Sequence, residues 1–223
     1  MSTSLIYKSS FVYELAMLVL YGRHYNARYT AIVDLIPDNA NVLDLCCGPA
    51  LLFHRYLRNK SVRYTGLDIN QKFIDRLIKS GAAGEVWDLR SDRELPASDY
   101  VIMQASLYHF LPDASNIVNR MLSAARKSVI IAEPVRNLAT SSSSFLSFIG
   151  KAFTNAGSGE QANRFNQESL ESFFDRYRAY LSRSFPIAGG REVVYVLDGQ
   201  HQSSNQVSAE EAGVVGDVKS ASR

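Results

Sequence analysis

The sequence predicts an α/β protein in which a largely parallel sheet lies between two layers of helices. Three observations predict it. Short runs rich in β-branched residues and leucine alternate with amphipathic helical stretches. Those runs are apolar at successive positions, as strands covered on both faces must be. Each run also closes in a turn before the next helical stretch opens, the rhythm of β-α-β units. At 223 residues the chain can build one sizeable core.

The elements follow in order. Residues 1–36 read as a helical cover. Within them "FVYELAMLVLYG" sets Phe11, Leu15, Leu18 and Val19 on one face at helical spacing. That stretch contains Glu14, is too short to span a bilayer and has no cleavable leader pattern. It is expected to pack on the domain, with contact to a membrane surface or a lipid substrate as the alternative. "YNARYTAIVDLIPD" continues helically to Pro37, and "ANVLDLCCGPA" is the first strand with its turn. "LLFHRYLRN" is an amphipathic helix with Leu52, Tyr56 and either Leu51 or Phe53 inward. "VRYTGLDIN" is the second strand, and "QKFIDRLIKSG" a helix closed by Gly81. "GEVWDLRS" and "SDYVIMQAS" are the third and fourth strands, "ASNIVNRMLSAAR" a helix and "KSVIIAEPV" the fifth strand.

The rhythm then breaks. Residues from about 136 to 165 are rich in Ser, Gly and Asn around an apolar island, "FLSFIGKAF", and read as a lid-like insertion, the alternative being a plain surface loop. "QESLESFFDRYRAYL" is a helix, and "LSRSFPIAGGREVVYVLDG" a hairpin around Gly-Gly. The sheet domain thus runs over 37–200. Residues 201–223 are polar and poor in bulky apolar groups, the composition of a disordered tail.

Composition narrows the function. A net charge of +2 with no basic run gives no electrostatic case for nucleic acid. The two cysteines are adjacent, so no disulfide framework exists and a reducing cytoplasm is the expected home, with peripheral membrane contact as a variant.

In an open parallel sheet, ligands bind beyond the carboxyl ends of the strands, so the turn "VLDLCCGPA" is the prime site. Cys46, Cys47, Gly48 and Ala50 are small enough to let a nucleotide approach the backbone, and Asp44 precedes them. Asp68 ends the second strand twenty-four residues after Asp44, where a carboxylate can accept hydrogen bonds from both hydroxyls of a ribose. The dinucleotide pattern G-x-G-x-x-G fails because only Gly48 is present, and no Gly-Lys-Ser/Thr follows.

These segments resemble class I S-adenosylmethionine-dependent methyltransferases. "VLDLCCGPA" looks like the family's first motif, with Cys46 and Ala50 at glycine positions; "YTGLDIN" resembles its second; "WDLRS" its adenine-side segment; and "DYVIMQASLYHFLPD" its fourth strand and following loop. The resemblance implies a Rossmann-like three-layer fold with a seven-stranded, mostly parallel sheet and an antiparallel last strand. It implies S-adenosylmethionine as cofactor, held by Asp44, Cys46, Cys47, Gly48, Asp68, Ile69, Asp88, Leu89 and Gln104. The two cysteines are then turn residues. A metal site would need further ligands at suitable spacing, and none is offered.

For the acceptor, the Asn/Asp-Pro-Pro-aromatic motif of exocyclic amine methylation is absent after the fourth strand, as are a nucleophilic cysteine and an acid-rich metal cluster. A small-molecule acceptor is the expected partner, hydrophobic if the apolar entry helix and island cover the cleft. Tyr108 and His109 are the candidate catalytic contacts, His109 having the pKa range of a general base. Glu133, Tyr25 and Arg28 are candidate substrate contacts, Arg28 through an anionic group; the alternatives are that Glu133 satisfies backbone donors, that Tyr25 packs in the core and that Arg28 is solvated. A non-catalytic module that binds the cofactor and regulates a partner is the alternative function.

Overall fold

The computed structural model describes residues 17–18, 21–135 and 164–199. Of the expectations above, Phe11, Leu15 and Val19, the "FLSFIGKAF" island, nearly all of the insertion and the tail lie outside these residues. The strands are β1 (Asn41–Leu45), β2 (Arg63–Asp68), β3 (Ala83–Val86), β4 (Ser98–Gln104), β5 (Ala125–Pro134), β6 (Leu181–Ile187) and β7 (Glu192–Asp198). They form one sheet in the order β3-β2-β1-β4-β5-β7-β6. β1 to β5 are mutually parallel, whereas β7 runs antiparallel to both β5 and β6. The expected seven-stranded sheet with an antiparallel last strand is therefore present.

The helices are α1 (Ala27–Val33), α2 (Gln71–Lys79), α3 (Ala114–Ala124) and α4 (Gln167–Asp175). α1 stops four residues before Pro37, whose ring disfavours helical backbone in the preceding residue. α2 is capped by the Asn70 side chain, which accepts from Lys72 N, and ends before Gly81 at φ +92°. Asn166 and Ser169 make a reciprocal capping box at the start of α4.

Strand alternation divides the core. Val42, Ile102, Ile130, Val194 and Val196 face one side, with Ile32 of α1, Leu57 and Leu77 of α2. Leu43, Leu45, Val101, Met103, Val129 and Ile131 face the other, against Ile117, Val118 and Met121 of α3 and Leu170, Phe173 and Phe174 of α4. A period of two on the strands thus supplies two apolar faces, and helices cover both.

Two elements differ from the sequence expectation. "LLFHRYLRN" is not one α-helix: Phe53–Leu57 forms a π-helical turn, followed by a 3₁₀ turn at Arg58–Lys60. Leu51, Leu52, Phe53 and Leu57 are all buried and Tyr56 only partly so, because the wider turn brings three consecutive apolar residues and Leu57 inward. In the entry segment, Met17, Tyr21 and Tyr25 are buried at i, i+4, i+8, and Leu18 is 48% exposed. The apolar face there lies one residue away from the one expected. Among the described residues, no helix is long and apolar enough to cross a membrane.

Candidate functional site

The carboxyl ends of β1 and β2 meet at the CCGPA turn. Cys46, Gly48 and Ala50 all take left-handed backbone, at φ 55°, 55° and 52°, so the turn keeps a glycine-like path with two non-glycine residues. The path is fastened from β2. Cys47 N donates to Leu67 O at 3.1 Å, and Gly48 N donates to Asp68 Oδ2 at 2.8 Å. Asn70 N donates to Asp68 Oδ1 at 2.8 Å, and Trp87 N to Asp68 O at 3.0 Å, which ties in the end of β3. Each Asp68 oxygen takes one backbone N–H and keeps accepting capacity for a further donor. Ile69 beside it is 66% exposed, an apolar surface with no cover among the described residues.

Asp44 lies buried under the turn, and Tyr64 donates its hydroxyl hydrogen to Asp44 Oδ2 at 2.6 Å. Burial raises the Asp44 pKa to about 7; the Tyr64 bond opposes the rise and the charge of Asp68 adds to it. Asp68 is also raised, by burial against its two backbone donors. Burial, then Asp68 and Asp44, pushes the Cys46 thiol up, and Cys47 is raised chiefly by burial. Both cysteines are therefore thiols rather than thiolates, poor as nucleophiles or metal ligands. Gly66 explains Cys47: a Cβ there would lie 2.8 Å from Cys47 Sγ and 2.6 Å from Leu77 Cδ2.

Farther along the sheet edge, Asp88 is exposed in a turn, its Oδ1 accepting from Arg90 N at 2.9 Å, and Leu89 is buried behind it. Gln104 ends β4 half-buried and donates to Arg28 O at 3.4 Å.

The loop after β4 is a 3₁₀ turn, Leu107–Phe110, carrying Tyr108 and His109 with ring centroids 4.0 Å apart. Glu133 holds it in place: Ser106 N and Leu107 N both donate to Glu133 Oε1 at 2.7 Å. Partial desolvation, then the guanidiniums of Arg164 and Arg90, lower the His109 pKa to about 4, although the residue is open to solvent. This differs from the near-neutral titration expected of it. His109 is neutral at pH 7 and a weak proton acceptor.

The three candidate substrate contacts are all buried. Glu133 is wholly enclosed and its pKa rises to about 8, first through burial. Tyr25 packs edge-on against Tyr29, with centroids 5.4 Å apart. Arg28 is 2% exposed and grips Glu192 of β7 with Nη2 to Oε1 at 3.0 Å and Nε to Oε2 at 3.3 Å. Tyr21 also donates to Glu192, and its ring lies under the Arg28 guanidinium at 4.4 Å. The structure corrects the sequence reading of Arg28: an arginine expected to meet an acceptor's anion is paired inside the protein.

Sequence reasoning missed Tyr64, Glu192 and Ser106. The first two act across strands, where no local pattern signals a partner. Glu192 opening a strand beside Gly-Gly was the one available hint, since an acid facing a sheet interior needs a cation. Among the described residues, no group of three His, Cys, Asp or Glu is arranged to hold a metal ion. A cavity of about 460 Å³ between α4 and the hairpin, lined by Phe174, Leu181, Phe185 and Tyr195, includes none of the candidate residues.

Residues 26–138, just over half of the chain, match the family model of methionine biosynthesis protein MetW. No curated protein matches the sequence. Among solved structures, a chain in the complex of the Haloferax volcanii Trm112 methyltransferase activator with a methyltransferase is similar at TM-score 0.62 and 13% identity, covering 90% of this chain and 100% of that one. Magnesium protoporphyrin IX methyltransferase of Synechocystis PCC 6803, solved with bound S-adenosylhomocysteine, gives 0.58 and 14%, covering 86% and 88%. A TehB-like S-adenosylmethionine-dependent methyltransferase of Corynebacterium glutamicum gives 0.51 and 16%, covering 77% and 86%. The fold is that of the class I S-adenosylmethionine-dependent methyltransferases.

Proposed function

This chain belongs to the MetW family, and on that footing we propose that it binds S-adenosylmethionine at the β1–β2 turn and transfers the methyl group to a small molecule. The observation that carries the reading is Asp68, whose two oxygens clamp Gly48 and Asn70 while retaining capacity for two hydroxyls. The residues present suit the group. The CCGPA turn offers backbone without bulky side chains, Ile69 offers an apolar face to a base, and among the described residues no basic side chain pairs with the nearby acids to repel a cation.

Asp68 would hold the ribose, Ile69 and Leu89 would flank the adenine, and Asp88 would accept from its amino group. Asp44 and the Cys46–Gly48 backbone would face the methionine part, and Gln104 would sit at the β4 end of the cleft. When bound, the cofactor would supply a methyl carbon made electrophilic by its sulfonium, open to an acceptor's lone pair with the thioether as leaving group. The protein's share is alignment and exclusion of water. Tyr108 and His109, fixed through Glu133, would border the acceptor. Neutral His109 could accept a hydrogen bond from it, and an acceptor that is already nucleophilic would need no stronger base.

Calorimetric titration tests the reading. S-adenosylmethionine and S-adenosylhomocysteine should bind at micromolar concentration and NAD should not, and Asp68→Ala should weaken binding by about 1–3 kcal/mol. Absence of binding by both sulfur compounds sinks it. A second reading, a cofactor-binding module without catalysis, draws on the absence of an activated base at the β4 loop. Labelled methyl transferred to a component of a small-molecule extract would decide against that reading.

A further inference from the structure

On the S-adenosylmethionine reading of this same cleft, its buried acids acquire a role. Asp44, Asp68 and Glu133 stand at the carboxyl ends of β1, β2 and β5, and the Cys46 thiol lies within electrostatic reach of all three. Their partners are uncharged. Asp44 accepts from the Tyr64 hydroxyl, Asp68 from the Gly48 and Asn70 amides, and Glu133 Oε1 from the Ser106 and Leu107 amides. Glu133 Oε2 is buried with no hydrogen-bond partner among the described residues. From β7, Glu192 faces Glu133 as another buried acid, and the buried guanidinium of the region, Arg28 of α1, is committed to Glu192. The Arg164 and Arg90 guanidiniums act on His109 rather than on these acids. Among the described residues, no Lys, Arg or His pairs with Asp44, Asp68 or Glu133.

A buried carboxylate without a counter-ion is costly, so such a group keeps its proton until a cation arrives. The raised pKa values of Asp44, about 7, and Glu133, about 8, agree with that arrangement.

We propose that this acidic cradle uses the sulfonium of the methyl donor as its counter-ion, so that S-adenosylmethionine expels protons from the buried acids on binding while S-adenosylhomocysteine expels fewer. Both compounds carry the same ammonium and carboxylate, and only the donor carries the extra charge. Transfer moves that charge to the acceptor, which keeps it or sheds a proton, and leaves a neutral thioether on sulfur. The cradle then retakes protons and holds the spent product less tightly. Preference for donor over product therefore rises with pH, by about tenfold in total across roughly pH 6 to 9 if the acids' pKa is about one unit lower in the donor complex than in the product complex.

The test is calorimetry of both compounds in phosphate, HEPES and Tris at pH 7.5, whose differing ionisation heats reveal the protons exchanged. The proposal expects roughly half a proton more released with the donor than with the product. Glu133→Gln should shrink that excess. Tyr64→Phe removes a bond that favours ionised Asp44, and should move the midpoint of the pH dependence upward; it also serves if the Gln variant does not fold. Equal release by the two compounds, or an excess unchanged in both variants, overturns the proposal while leaving the binding reading intact. No binding by either compound overturns both.

Discussion

Cys47 is a packing residue, and one glycine shows it. A methyl at Gly66 would press on Cys47 Sγ and Leu77 Cδ2, closer than real Cβ atoms approach. Gly66→Ala should therefore cost about 1–3 kcal/mol by overpacking. Adding Cys47→Ala should return about 1 kcal/mol relative to additivity, because the two sites share the contact. Urea denaturation of the single and double variants measures this; strict additivity would mean that Leu77 alone takes the strain. The turn's candidates, Asp44, Cys46, Gly48 and Asp68, were legible because their requirements are local: small residues where the backbone must be approached, an acid at a strand end. Tyr64 was not legible. Its role depends on strand register, Asp44 being level with Gly66 two residues further along β2, and register is fixed by pairing rather than by local sequence.

The helix–strand lock at Arg28 is the matching case among elements. Its guanidinium and the Glu192 carboxylate are 2% and 0% exposed, joined by two contacts and topped by Tyr21. Removing one partner strands a buried charge. Arg28→Met and Glu192→Gln should each destabilise by about 3–5 kcal/mol, while Arg28→Met with Glu192→Leu should lose much less than the sum. Thermal or urea unfolding of the cycle measures it, and single variants within about 0.5 kcal/mol of the parent would show that water reaches the pair. α1 and the β6–β7 hairpin were both foreseen from periodicity and from Gly-Gly. Their union was not, because a sequence gives each element's faces but not which faces meet. The π-helical turn at Phe53–Leu57 escaped for a related reason: four apolar residues around His54 and Arg55 suit an α-helix locally, and only the packed sheet demands that Leu51, Leu52, Phe53 and Leu57 all turn inward.

At the scale of the molecule, strand alternation was enough to give the three layers, whereas the order β3-β2-β1-β4-β5-β7-β6 is a matter of pairing: the chain steps outward from β1 to β3 and then lays β4 on the other side of β1. The parallel run of β1, β2 and β5 gathers their acids at one end, and the gathering has a price in stability that depends on pH. Asp44 and Glu133 have folded pKa values of about 7 and about 8 against ordinary values of 3.8 and 4.5. Between the ordinary and the raised values the folded chain holds protons that the unfolded chain has shed, so stability falls as pH rises through that window. His109, lowered to about 4, acts in the opposite sense, with the folded state losing stability as pH falls below about 6.5; its exposure to solvent keeps that contribution small. The acids win, and the unfolding free energy should drop by roughly 2–6 kcal/mol between about pH 5 and pH 9. Asp44→Asn and Glu133→Gln should each flatten the slope. Urea midpoints across that range check it, and stability that rose with pH would mean the acids are hydrated and ionised throughout. A cation that settles among them should reverse the trend, so S-adenosylmethionine should raise the unfolding midpoint more at pH 8.5 than at pH 6. The two slopes, one without ligand and one with it, are then opposite faces of the same buried charge.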